Sequence, residues 1–167
     1  MLASGAIVLV DSMIVIEAVR TRCWNAITGM LRVVTVGECA AELRSGEHTS
    51  PGYVPVGEND IERMEVVPVP DAAAVTFRLK HPKADGLDPA ERELLAHALD
   101  RNDVFFISSC DKAVVRTVHD MGLLDQLVSL EAVATATGAR PGPRLKVQHT
   151  ETRMSEWRTA VRLGSYI

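Results

Sequence analysis

Ile7-Val8-Leu9-Val10-Asp11-Ser12 is a run of four apolar residues closed by an acid and a hydroxyl. An unbroken apolar run of this length suits a strand buried on both faces, as in a parallel sheet. Helical spacing follows through Ile14 and Ala18. The same grammar returns late in the chain, where Val104-Phe105-Phe106-Ile107 leads into Ser108-Ser109-Cys110-Asp111. A helix is expected there from Lys112 to Met121, with Gly122 as its stop.

Between these two stretches the alternation continues. Arg32 to Thr35 reads as a short β-branched strand and Gly37 to Arg44 as a helix. Ser45 to Gly57, rich in Gly, Pro and Ser, reads as an irregular loop. Met64 to Val69 predicts a third strand, Asp71 an N-cap, and Ala72 to Lys80 a helix. Asp88-Pro89-Ala90-Glu91 opens the clearest helix, with a capping Asp, Pro at the first helical position and Glu at the third. Its apolar face is Leu94, Leu95, Ala98 and Leu99. Leu127 to Leu130 predicts a last strand, followed by a short helix ending at Gly138. Strand and helix alternating in this way imply an α/β fold with a parallel sheet covered on both faces. The boundary is drawn after residue 137: residues 1–137 form the main domain, and the Pro141-Gly142-Pro143 break sets off a C-terminal tail, 138–167, with one helix from about Glu151 to Leu163.

With 167 residues and 47% hydrophobic content the chain can fill one core, and its apolar runs are too short for a membrane span. The amino terminus lacks the pattern of a signal peptide, so the expectation is a cytoplasmic protein. Cys23, Cys39 and Cys110 are odd in number and without metal-ligand spacing, and are expected as small buried apolar side chains. The net charge of -4 argues against nucleic-acid binding through a broad basic surface. From Gly138 onward six basic residues face two acids, so a tail of +4 follows a body of -8. Such a tail could pack near the catalytic rim and meet phosphates, with Arg153, Arg158 and Arg162 as the contacts and Trp157 and Tyr166 as aromatic surfaces; alternatively it folds onto the acids of its own body or docks Trp157 on its own domain or a second subunit.

Candidate functional residues are the acids. Asp11 and Asp111 both follow strands, and in a parallel sheet such positions share one rim, where ligands bind. Each could equally be a helix cap. Glu91 completes a capping box with Asp88, yet it also begins the buried stripe of its helix, where a carboxylate needs a cation or donors. Arg92 and Glu93 beside it read as solvated surface. Glu38 and Glu42 lie four apart on one helix face, and Glu42 is preferred as the fourth acid. Four carboxylates on one rim suit Mg²⁺ or Mn²⁺, hard ions that take oxygen ligands. The histidines, His48, His81, His97, His119 and His149, show no paired metal spacing and read as surface or helix residues.

These stretches, Val8-Leu9-Val10-Asp11-Ser12, Glu38-Cys39-Ala40-Ala41-Glu42-Leu43, Leu87-Asp88-Pro89-Ala90-Glu91 and Ile107-Ser108-Ser109-Cys110-Asp111-Lys112, resemble in order and spacing the four motifs of PIN-domain ribonucleases. The resemblance implies a three-layer α/β/α sandwich with a central, mainly parallel sheet. It further implies one or two Mg²⁺ or Mn²⁺ ions held by Asp11, Glu42, Glu91 and Asp111, and hydrolysis of RNA to 5′-phosphate and 3′-hydroxyl ends. Ser12 and Ser109 would orient carboxylates or water. An antitoxin-like protein partner and a homodimer are the partners that the resemblance suggests. The chain departs from the pattern at Met13, where many members carry a polar residue, and at Cys110, which replaces an acid. Its Ser45 to Gly57 stretch and its tail also differ from the compact toxins of the family.

Other readings are weaker. A haloacid-dehalogenase-like phosphatase needs a second Asp where Met13 stands, and neither a Gly-rich dinucleotide turn nor a P-loop is present. A DNA-directed nuclease stays open, because no residue pattern reads a 2′-hydroxyl. The principal alternative is a catalytically silent PIN-like module that binds protein or RNA.

Overall fold

The computed structural model of the chain describes residues 2–45, 52–141, 144–165 and 167. Five strands, β1 (Ile7–Val10), β2 (Arg32–Val36), β3 (Glu65–Val67), β4 (Phe105–Ser108) and β5 (Leu127–Val128), form one sheet in the order β3-β2-β1-β4-β5. Every pairing is parallel, with Ile7 opposite Arg32 on one side and Val10 opposite Ser108 on the other. The chain runs from β1 outward through β2 to β3, then returns across β1 to β4 and β5. Its direction therefore switches between β1 and β4, and a crevice opens at their carboxyl ends.

Helices cover both faces, as the alternation predicts. They are α1 (Ser12–Arg20), α2 (Trp24–Met30), α3 (Gly37–Ser45), α4 (Glu58–Ile61), α5 (Asp71–Lys80), α6 (Pro89–Asp100), α7 (Lys112–Asp120), α8 (Leu130–Ala136) and α9 (Glu151–Arg162). Successive strand residues point to opposite faces. Leu9, Val34, Ile107 and Leu127 thus pack with Leu94 and Leu95 of α6, Val114 and Val118 of α7 and Met154 and Trp157 of α9. Val8, Val10 and Val33 meet Ile14 of α1, Ile27 of α2 and Leu130 and Val133 of α8. The result is three layers around two apolar clusters.

Local differences from the sequence reading have identifiable causes. β3 is shorter than Met64 to Val69, and the last strand ends at Val128 because Ser129 caps α8, accepting from the Ala132 N–H at 3.0 Å. Pro70, not Asp71, stands at the N-cap of α5, and Asp71 begins the helix. The first helical stretch divides in two: Arg22 takes a φ of 63°, after which α2 starts at Trp24, and no Gly or Pro marks this turn. Gly122 does stop α7 as expected, at a φ of 73°. Of the stretch expected to be irregular, 46–51 lies outside the described residues, as do His48, Gly142, Pro143 and Tyr166. No helix among the described residues is long and apolar enough to cross a membrane.

The C-terminal segment is built into the core. Met154, Trp157 and Val161, at helical spacing on α9, are buried in the same cluster as β1 and β4. Its start is clasped by Glu17, which is 1% exposed. The Glu17 carboxylate accepts from Arg20 Nε at 2.7 Å, Arg20 Nη2 at 2.6 Å and the Lys146 backbone N–H at 2.8 Å. His149, expected on a surface or helix, is instead enclosed within a 3-10 turn, Val147–His149, with both ring nitrogens unpartnered. The arginines of α9 turn to acids of their own protein: Arg153 pairs with Glu156, Arg158 with Glu151, and Arg162 with Asp125. Arg158 also donates to the Leu127 carbonyl, tying α9 to β5.

Two predictions follow from this packing. Met154→Ala should lower stability by about 2–5 kcal/mol in urea denaturation, the range for a large-to-small change in a filled core; a solvated tail would lose under about 0.5 kcal/mol. Burial pushes the His149 imidazole down from 6.5 to about 4, with Lys146 and Arg20 acting in the same sense and Glu17 against it. The unfolded chain therefore binds the proton first, so this contribution is complete above pH 6.5 and is lost as pH falls toward about 4. His149→Phe should flatten that part of the stability profile measured by denaturation across the same pH range.

Candidate functional site

The bond that starts α1 also fixes the first acid. β1 runs directly into Asp11, whose Oδ1 accepts from the Ile14 N–H at 2.9 Å, so its carboxylate stays at the strand end. Asp111 repeats the arrangement at the end of β4: its Oδ1 accepts from Ala113 N–H at 2.5 Å and from Val114 N–H at 3.3 Å. Because β1 and β4 are neighbours in register, both acids come to the crevice where the chain direction switches.

Helices deliver the other two. α6 leads into the start of β4, so its own first turn lies over the carboxyl rim. There Glu91 and Asp88 form the expected capping box: Glu91 N–H donates to Asp88 Oδ1 at 2.8 Å, and Asp88 N–H donates to Glu91 Oε2 at 3.1 Å. Glu42, on α3 after β2, accepts from Ser12 Oγ at 2.6 Å, which joins it to the residue after Asp11. Asp11, Glu42, Glu91 and Asp111 all line one cavity of about 470 Å³, together with Asp88, Ser12, Met13 and Cys110. Glu38 is not among the residues lining it. Its backbone N–H instead donates to Glu93 Oε2 at 2.8 Å, so Glu93 caps α3 rather than standing as solvated surface. Arg92, also read as surface, donates to the Leu87 carbonyl at 2.9 Å.

The cavity is electrostatically costly. Burial raises the Asp11 carboxyl from 3.8 to about 6, against the Ser109 hydroxyl and the Ile14 N–H, and Asp111 and Asp88 push it further up. Burial likewise raises Glu91 from 4.5 to about 7, with Asp111, Asp88 and Asp11 adding to it. Both shifts express chiefly the burial of a carboxylate, with neighbouring acids adding to it. Cys110 is half-buried at this cavity rather than a core residue, and burial beside Asp11 and Asp111 pushes its thiol up, which removes it as a thiolate nucleophile.

The donor set is carboxylate oxygen throughout, as Mg²⁺ or Mn²⁺ requires. Asp111, Glu91 and Glu42 each spend one oxygen on the hydrogen bonds above, leaving the other for a cation. The side chains stand apart, however: among the described residues no three His, Cys, Asp or Glu are gathered as a ready metal site. Like charges repel, and the local donors hold each acid where it is.

Of three further cavity residues, Gln148 carries no signal in the sequence, Lys112 only closes the fourth motif, and Trp157 stands out only as an aromatic of the tail. Gln148 and Trp157 arrive by long-range packing of the C-terminal segment, which no local pattern announces. Asp88 was visible only as a cap. Compared with known protein families and with curated proteins, the chain matches none.

Asp11→Asn keeps an acceptor for the Ile14 N–H and removes the buried charge. A folded pKa above the unfolded one means that the native state binds more protons, so stability falls as pH rises from 3.8 through about 6. In chelator-containing buffer at neutral pH the variant should therefore be the more stable, by up to about 3 kcal/mol. The gain should vanish below pH 3.8, where both states are protonated. Thermal denaturation across pH reads it directly, and a destabilised variant at neutral pH would show that the Asp11 charge is compensated.

Proposed function

We propose that this chain is a divalent-metal-dependent ribonuclease of the PIN-domain type, hydrolysing RNA phosphodiester bonds. The observation that carries the reading is the meeting of Asp11, Glu42, Glu91 and Asp111, from four separate segments, at one cavity beside the strand switch. Two of the four, Asp11 and Glu91, are held at raised pKa by burial, with Asp111 and Asp88 adding to it, so a cation would favour the ionised form of both. Mg²⁺ or Mn²⁺ bound by these four would supply that charge, together with the Lewis acidity that activates water and stabilises a leaving oxygen.

The protein's own groups have distinct tasks. Asp11, at 5% exposure, and Asp111 are fixed by backbone N–H groups of α1 and α7, so they bind without a prior rearrangement of either helix. Ser12 orients Glu42 through its hydroxyl, and Ser109 accepts from the Asp111 N–H at 3.2 Å while its hydroxyl steadies Asp11. Glu91, raised to about 7 by burial and by Asp111, is a carboxyl whose ionised form a cation bound here would favour.

One observation favours a second reading. Asp11, Asp111 and Glu91 already serve as caps or as a cap partner, Glu42 already holds the Ser12 hydroxyl, and among the described residues no three such groups are pre-gathered at ligand distance. A silent module that binds RNA or protein would keep these caps and do no chemistry. The two readings diverge on metal. For the nuclease, Mg²⁺ or Mn²⁺ raises the melting temperature, and a labelled RNA is cut to 5′-phosphate and 3′-hydroxyl products. Asp111→Asn, which retains the cap, should lower that cleavage by at least about 100-fold and abolish the metal-induced stabilisation. Wild-type protein that shows neither stabilisation nor cleavage is the silent module.

A further inference from the structure

Ionised, as they would be when holding metal, the acids of the cavity only accept hydrogen bonds, and the Ser12 hydroxyl is already given to Glu42. The remaining strong side-chain donors of the lining are Lys112, Gln148 and Trp157. Lys112, exposed at the first position of α7, makes no ion pair among the described residues. The half-buried Gln148 amide and the Trp157 indole N–H likewise have no hydrogen-bond partner among them. Three unused donors therefore stand at the edge of a carboxylate cavity.

Two of them are held in place by buried structure. Gln148 lies in the 3-10 turn Val147–His149, whose preceding residue is clasped by Glu17 through the Lys146 N–H and whose last residue is the enclosed His149. Trp157 is 7% exposed and belongs to the apolar stripe of α9 that packs on α7. Rigid donors of this kind bind with little further loss of freedom.

On the nuclease reading above, we propose that the C-terminal segment, together with Lys112 of α7, forms the substrate-recognition wall of this site. Lys112 takes a phosphate of a single strand beside the bond to be cut, and Gln148 and the Trp157 indole N–H take acceptor atoms of the adjoining nucleotide. The side chains recruited are not the arginines of α9, which pair with Glu156, Glu151 and Asp125. The ligand class follows from the chemistry: alternating phosphate and base or ribose acceptors meet a cation and two neutral donors, while the carboxylates hold metal. A single strand fits because its unpaired bases present those acceptors freely.

Titration of the wild-type protein with oligouridylate in Ca²⁺, read by tryptophan fluorescence, tests the wall independently of turnover. The expected result is a saturable change in emission that disappears in Trp157→Phe, because the remaining Trp24 is buried and donates to the Asp60 carbonyl. Gln148→Ala and Lys112→Ala should each weaken oligouridylate binding by about fivefold, the value of one hydrogen bond near 1 kcal/mol, and raise KM more than they lower kcat. Arg162→Ala should match the wild type in affinity. Unchanged emission, with Gln148→Ala and Lys112→Ala equal to the wild type in affinity and KM, overturns the wall even where the protein cleaves RNA. A Trp157-dependent response with the expected losses, in a protein that cuts no RNA with Mg²⁺ or Mn²⁺, supports the wall as a binding surface and sinks the nuclease reading alone.

Discussion

The hydrogen bond from the Ile14 N–H to Asp11 Oδ1 ties the fold to the site. It begins α1, so the chain can leave β1 and cover the sheet, and it leaves a carboxylate almost wholly buried at the strand end. Asp111 does the same between β4 and α7. Since β1 and β4 are parallel neighbours, two independent helix starts place two acids at one crevice. Helix initiation and site assembly are the same local event here, which is why the cap and ligand interpretations of these residues do not exclude each other.

A second anchor is the Glu17 clasp. An enclosed carboxylate needs its charge and its lone pairs satisfied, and Glu17 obtains both from Arg20 and the Lys146 N–H. Arg20 also donates to the Arg144 carbonyl at 2.8 Å. The clasp fastens the start of the C-terminal segment to α1, while Met154, Trp157 and Val161 fasten α9 to the opposite face of the sheet. The segment thus wraps from one layer to the other. Gln148, between the two anchors, has its position decided by both.

The fold was legible because its signals are local: apolar runs set the strands, Asp11, Asp88 and Asp111 the helix starts, and Gly122 a helix end. Glu42 lines the cavity and Glu38 does not, and the contact that holds Glu42 there, with Ser12, spans 30 positions. What stayed hidden is tertiary. Nothing around His149 distinguishes it from an exposed histidine, because its enclosure comes from α1 and the packing of α9. Glu93 looked like surface because the N–H that it caps belongs to Glu38, 55 positions away. The tail arginines suggested phosphate contacts by their spacing, but Arg162 finds Asp125 and Arg158 finds Glu151, and sequence distance conceals the first of these.

The disposition of charge gives the proposed metal a further role. The net charge is -4, the cavity gathers five carboxylates, and the arginines of α9 are committed to ion pairs. A polyanion approaching this rim in the absence of metal meets charge of its own sign, with Lys112 as the cation of the lining. Divalent cations bound by Asp11, Glu42, Glu91 and Asp111 would offset the carboxylate repulsion and reverse the local field at once. Strand binding and metal binding would then be coupled, because a cation held by these carboxylates would lower the cost of bringing phosphate to an acidic surface. On the proposed reading a broad basic face is unnecessary, because attraction is confined to the place where the bond is cut.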